Sequence, residues 1–155
     1  MGLTITRVDA DGPEFSALVD LFDEYRVHYG ETSDPGRTAA WLADQLGSGQ
    51  LRACTAALAD HPAVGFITSA VLPASLRLAT FWLVRDLFVR PAHRGAGAAR
   101  ALLGHVTTEA RAAGALRVSL QTELDNFPAL ALYSAAGFRP VDGLTSLSLP
   151  LLAQP

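Results

Sequence analysis

Residues 3–8, LTITRV, alternate apolar and polar side chains with a period of two, which predicts a strand with one buried face. The period changes after Gly12-Pro13. Phe15, Leu18, Phe22, Tyr25 and Tyr29 then recur at steps of three and four, the mark of one apolar face of a helix. Ser33-Asp34-Pro35 supplies a cap and a first-turn proline for a second helix, which carries Trp41, Leu42 and Leu46 and ends at Gly47. Three apolar runs follow, at 51–59, 63–72 and 78–89. Asp60-His61-Pro62, Pro73 and Pro91 punctuate them, so they predict sequential strands in an antiparallel meander. Residues 97–113 predict a helix with Ala98, Leu102, His105-Val106 and Glu109-Ala110 on its core stripe and Gly114 as a C-cap. A strand at 116–124, a short helix from Asn126 to Ala136 and two closing strands at 138–141 and 145–149 complete the reading.

The helix at 97–113 is the natural crossover between strands 78–89 and 116–124, which makes that pair parallel. The expected fold is therefore α/β, a mixed sheet with helices on its faces. The chain has 155 residues and shows no linker, repeat or low-complexity tract, so a single domain over 1–155 is expected. No apolar run approaches the roughly 18 residues of a membrane span, and no membrane partner is expected.

Composition narrows the chemistry. All 12 cationic residues other than histidine are arginine; the absence of lysine excludes a P-loop lysine and Schiff-base catalysis. A net charge of −3 argues against a nucleic-acid partner held by phosphate neutralisation. Cys54 is the only cysteine, which rules out an intrachain disulfide and favours a reducing, cytoplasmic setting; the Ala-, Gly- and Arg-rich composition points to a bacterial source. Cys54, His61, His93 and His105 do not have metal-ligand spacing, so no metal is expected. There is no G-x-S-x-G elbow, and GAGAAR is a poor match to a dinucleotide fingerprint.

The informative stretch is HRGAGAARALL, 93–103, between a strand and a helix. Its backbone N–H groups and the helix N-terminus form an anion site, and the small residues Gly95, Ala96, Gly97, Ala98 and Ala99 let a phosphate approach. Arg94 and Arg100 can add charge-assisted bonds. Downstream, NFPALALYSAAGF places Asn126, Ala129, Tyr133, Gly137 and Phe138 in a second pattern. Together, in this order and with these elements between them, the two stretches resemble the GNAT superfamily of N-acetyltransferases, and the likeness covers nearly the whole chain.

The resemblance implies acetyl-CoA as cosubstrate and a small-molecule or peptide amine as acceptor, attacking the thioester directly. It implies a sheet that splays between strand 78–89 and the next parallel strand. The loop would hold the pyrophosphate, and Leu87, Phe88 and Val89 would bond the pantetheine arm. Asn126 would contact the cofactor, Tyr133 would stand near its sulfur as general acid, and a homodimer is also implied. The pattern breaks at the base. Many relatives carry Glu just before the Asp-Leu-Phe-Val segment, where this chain has Arg85. Arginine cannot accept a proton near neutral pH. Asp86 is adjacent, but alternation puts it on the opposite face unless a bulge intervenes. Glu24 and His28 are further candidates on the acceptor side, as is Glu123 after the fifth strand. Arg85 is expected to face the acceptor pocket and orient an anionic group. Asp20, Asp23, Glu24, Glu31 and Asp34 on the first helix and its following loop can favour a cationic acceptor. With Arg85 in place of a base, a non-catalytic acyl-CoA-binding module is the alternative.

Overall fold

The computed structural model describes residues 2–152. Its strands are β1 (Leu3–Val8), β2 (Arg52–Leu58), β3 (Ala63–Ala74), β4 (Ala79–Val89) and β5 (Val118–Ser119), ordered β1-β2-β3-β4-β5 in one sheet. The first four pair antiparallel, and β4 pairs parallel with β5. The helices are α1 (Phe15–His28), α2 (Pro35–Gly47), α3 (Ala98–Ala112) and α4 (Phe127–Ala135). The mixed, mostly antiparallel sheet with helices on both faces is the one expected. No helix among the described residues is long and apolar enough to cross a membrane.

Alternation along the strands sorts side chains into two cores. On one face Cys54, Ala56, Val64, Ile67, Trp82 and Val84 pack against Leu102, Leu103 and Val106 of α3. On the other, Val8, Ala53, Phe66 and Phe88 pack against Leu18, Leu21 and Phe22 of α1 and Leu42 of α2. Burying one such large side chain contributes about 1.5–3 kcal/mol.

One strand changes phase partway. Thr68 pairs with Asp86 but Ser69 pairs with Val84, so Arg85 is an extra residue in β4. That is a β-bulge. Trp82 and Val84 face α3, whereas Phe88 belongs to the α1 core and Asp86 bonds to α1. Unbroken alternation would have put all four on one face.

The connection from α1 to α2 is organised by a buried carboxylate. Asp23 accepts hydrogen bonds from Ser33 Oγ (2.6 Å), Asp34 N–H (2.9 Å), Thr38 Oγ1 (3.1 Å) and Arg26 Nη1 (3.4 Å). Asp34 in turn caps α2 by accepting from Arg37 N–H at 3.0 Å, with Pro35 at the start of the helix. The expected capping sequence thus works as a cap, but its neighbour Asp23 is what holds the helices together.

The C-terminal part departs from the expectation. β5 has only two residues rather than spanning 116–124, and neither 138–141 nor 145–149 is a strand. Alternating apolar residues favour a strand only where a neighbouring edge offers a ladder, and beyond Ser119 this edge does not. Residues 144–152 leave Leu147 91% and Leu149 81% exposed, touching the region after β5 through Gln121 Nε2 and Ser146 Oγ at 3.4 Å. Pro73 does not end β3, because the strand continues to Ala74 opposite Ala79.

The Ser33 hydroxyl and the Asp34 N–H, with smaller contributions from Thr38 and Arg26, hold the Asp23 carboxyl below the ordinary carboxylate range despite burial. Asp23→Ala leaves buried donors unpaired and should cost about 3 kcal/mol in thermal or urea unfolding. A depressed folded pKa contributes stability that is complete above the unfolded value near 4 and is lost as pH falls through the folded one. The stability gap between wild type and Asp23→Asn should therefore narrow in unfolding curves below about pH 4. A pH-independent gap would remove the buried charge from this role.

Candidate active site

β4 ends at Val89, and the chain turns through a short 3-10 turn, Pro91–His93, before α3. Arg94 Nε donates to Val89 O at 3.0 Å and folds the loop back on the strand. Gly95 and Gly97 have φ of +85° and +88°, left-handed conformations that glycine adopts without strain. A Cβ at Gly95 would meet nothing within 4 Å, so backbone conformation and the open approach are what glycine provides there. Gly97 caps α3 with no side chain on the helix end. The first backbone donor of the helix is Ala101, to Gly97 O at 3.0 Å. Among the described residues, no protein acceptor takes the N–H groups of residues 95–100. Free donors, the positive end of a helix dipole and room for close approach together make an anion cradle. Ala96 and Ala99 present nothing larger than a methyl there, Ala98 is buried against the sheet, and Arg100 stands exposed on the first turn.

β4 and β5 pair only through Trp82–Val118 and Leu83–Ser119, so β4 runs on to Val89 without a partner on that side. The gap lies beside Leu87, Phe88 and Val89. α4 carries Tyr133, half-buried, edge-on to Phe138 at 6.1 Å and in the same apolar cluster as Leu87 and Val89. Its hydroxyl bonds to no other group among the described residues. Burial, then the nearby Tyr29 and Glu123, push its phenol above the ordinary value. Asn126 caps α4, accepting from Ala129 N–H at 3.3 Å and donating to Glu123 Oε2 at 3.5 Å.

On the α1 face, the bulge turns Asp86 into a cavity of about 330 Å³. Phe22, Tyr25 and Trp41 form its apolar walls, and buried Thr38 with Arg26 and Arg37 its polar side. Tyr25 Oη donates to Asp86 Oδ1 at 2.9 Å, and Thr68 Oγ1 donates to Oδ2. Burial, then the Asp86 carboxylate, drive the Tyr25 phenol far above its ordinary pKa, so it stays a donor. A carboxylate fixed by two hydroxyls, beside an open apolar cavity and near the β4 edge, can orient an amine and take its proton.

The remaining expected residues are placed differently. Arg85 is exposed and is not among the residues that line this cavity, although its charge acts on Tyr25. Glu24 makes a two-pronged ion pair with Arg90, 2.8 Å to Nε and 3.0 Å to Nη2, while Arg90 Nη1 also donates to Ala63 O at 3.1 Å. That pair ties the end of β4 to α1. His28 is exposed against Tyr29 and Phe88, with ring centroids 5.2 and 5.9 Å away. The fold also assembles a cluster that linear spacing hides: ligand atoms of Cys54, His105 and Glu109 lie within 4.8 Å of one another. Glu109 there is bonded to Arg52 at 2.9 Å and to His105 at 2.9 Å, and burial pushes the Cys54 thiol up to about 11.

Sequence reasoning did not single out Thr38, Trp41, Thr68, Arg26 or Arg37. Trp41 sits on the apolar stripe of α2 yet is 47% exposed, because it roofs the cavity rather than filling the core. An aromatic at the edge of an amphipathic stripe was the one available signal.

Residues 15–138 match the family model described as the acetyltransferase (GNAT) family. An "Uncharacterized N-acetyltransferase YhfO" of Bacillus subtilis is 29% identical over 139 residues, 90% of this chain and 93% of that protein. A "Probable acetyltransferase" of Haemophilus influenzae is 32% identical over 72 residues, a match spanning 46% of this chain and 49% of that protein. The crystal structure of a probable acetyltransferase superposes with a TM-score of 0.89 at 26% identity, covering 97% of this chain and 99% of that one. In fold alone, an aminoglycoside acetyltransferase from a soil metagenome, in complex with sisomicin, superposes at 0.80 with 21% identity and 97% coverage of each chain.

Gly97→Val should disturb the cradle, since a β-branched residue disfavours φ near +88° and narrows the approach. CoA at about 100 times its dissociation constant should stabilise the wild type by about 2.7 kcal/mol. The folded variant should show a much smaller thermal shift; an equal shift would separate this loop from CoA.

Proposed function

The chain belongs to the GNAT acetyltransferase family, and from that premise we propose that it acetylates a primary amine of a small molecule or peptide, with acetyl-CoA as donor, by direct attack on the thioester. The observation that carries the reading is Asp86, held by Tyr25 and Thr68 at the floor of an open cavity beside the cofactor strand. It supplies the carboxylate whose absence at position 85 motivates a non-catalytic reading.

The cradle at residues 94–100 fits a pyrophosphate, and the unpaired edge of β4 at Leu87, Phe88 and Val89 fits the pantetheine arm. Bound there, acetyl-CoA supplies an activated acyl group and a thiol leaving group. An N–H of that edge is available to the acyl oxygen as negative charge develops. Asn126 stays at the start of α4, where its capping role is compatible with a cofactor contact.

Asp86 orients the amine and receives its proton. An ordinary carboxyl titrates near 4 and an alkylammonium near 10, so complete transfer before attack would be uphill by about 8 kcal/mol. The amine therefore enters already neutral, and Asp86 takes the N–H proton that becomes acidic as the new N–C bond forms and the C–S bond breaks. Tyr133 serves the sulfur. A thiolate whose conjugate acid titrates near 8.5 cannot take the proton of a phenol whose pKa lies above 10 without an uphill cost of about 2 kcal/mol or more. A hydrogen bond that strengthens as charge builds on sulfur avoids that cost.

Two substitutions test the roles. Asp86→Asn keeps size and both hydroxyl neighbours; with saturating acetyl-CoA, kcat/KM for the amine should fall on the order of 100-fold while the CoA thermal shift stays. Loss within threefold would remove Asp86 as the base. Tyr133→Phe keeps the ring and the packing on Phe138, so stability should hold while turnover falls on the order of 100-fold. Unchanged turnover would return Tyr133 to a packing role.

A further inference from the structure

The charges around the cavity are unequal. Asp86 is the one carboxylate on its wall, against two guanidinium groups, Arg26 and Arg37. The acids that promised a cationic surface on α1 and its loop are largely engaged elsewhere. Asp23 is buried under four donors, Glu24 is paired with Arg90, and Asp34 caps α2. A polycationic acceptor would meet two arginines for one carboxylate.

Arg37 stands out. Among the described residues its guanidinium has no hydrogen-bond or ion-pair partner; only its backbone N–H is used, by Asp34 Oδ1 at 3.0 Å. It lies in the first turn of α2, where the helix dipole is positive and a cation is disfavoured. Folding gains nothing visible from an arginine there, whereas an anion would be bound by the side chain and favoured by the helix end. Arg26 spends only Nη1, on Asp23 at 3.4 Å and Thr32 O at 3.2 Å, leaving the rest of its fork toward the same cavity.

We propose that the acceptor is an amine that also carries an anionic group, such as an amino acid, with the amine at Asp86 and the anion at Arg37 assisted by Arg26. This rests on the acetyl-transfer reading and names its substrate class. Phe22, Tyr25 and Trp41 take the apolar body between the two ends. At about 330 Å³ the cavity is at the small end of ligand sites and suits an acceptor of amino-acid size.

The test uses matched amines with and without a carboxylate: phenylalanine and phenethylamine, tyrosine and tyramine, lysine and cadaverine. The readout is CoA-thiol release from acetyl-CoA by the intact protein. The carboxylate-bearing member should be favoured in at least one pair on the order of tenfold or more in kcat/KM, mainly through KM. Arg37→Gln should collapse that preference to within threefold, and because Arg37 supports no other contact the variant should fold. Thiol release with no preference for the acid, or a preference that survives Arg37→Gln, overturns the proposal and leaves acetyl transfer standing. No thiol release from any amine, in protein that still gives a CoA thermal shift, overturns the acetyl-transfer reading and this proposal with it.

Discussion

The extra residue at position 85 is the constraint on which the site depends. A strand at the centre of a two-faced sheet must present its apolar residues to both cores, and β4 does so in two halves. Its first half sends Trp82 and Val84 under α3, and its second sends Phe88 under α1. The bulge reconciles the halves and turns Asp86 toward Tyr25 and Thr68. Without the phase change Asp86 would lie on the α3 face with Trp82, where a charge would have to be desolvated among apolar side chains. The same device supports packing and turns a carboxylate into the cavity walled by Phe22, Tyr25 and Trp41.

Two independent structures then converge on β4. From one side the turn at Gly95–Gly97 and the start of α3 offer unpaired N–H groups, next to the end of the strand. From the other, α1 and α2 supply the cavity walls. The α1–α2 unit is fixed internally by Asp23 and externally by the Glu24–Arg90 ion pair, which joins it to the residue that follows β4. The glycine loop and the α1–α2 cavity are therefore set relative to one another by contacts of β4 and the residues just after it. The open wedge between β4 and β5 is the remaining element, with Tyr133 across it.

Much of this was legible in the sequence where the signal is local. The period shift from two to three or four located α1, the Ser33-Asp34-Pro35 run located the start of α2, and the two glycines in HRGAGAAR announced backbone that side chains would disfavour. Non-local facts were not legible. The bulge is a relation between Ser69, Thr68 and their partners in β4, and nothing in RDLFV alone reveals it. The commitment of Glu24 to Arg90 spans 66 positions, so an apparently free acid turned out to be a tether. The closing strands failed for a related reason: Thr145, Leu147 and Leu149 alternate with Ser146 and Ser148 well enough, but pairing depends on an edge that ends at Ser119. The role of Trp41 was not legible either, because a stripe position that roofs a cavity has the same periodicity as one that fills a core.

The central claim is that the bulge delivers Asp86 to the reacting nitrogen. The most direct measurement is a crystal structure with an adduct in which the CoA sulfur is joined through an acetyl bridge to the nitrogen of the best acceptor. The account predicts the pyrophosphate on the N–H groups of residues 95–100 and the nitrogen within about 3 Å of the Asp86 carboxylate, directly or through one water. A nitrogen outside the cavity walled by Tyr25 and Trp41, with Asp86 bonded only to Tyr25 and Thr68, would contradict it.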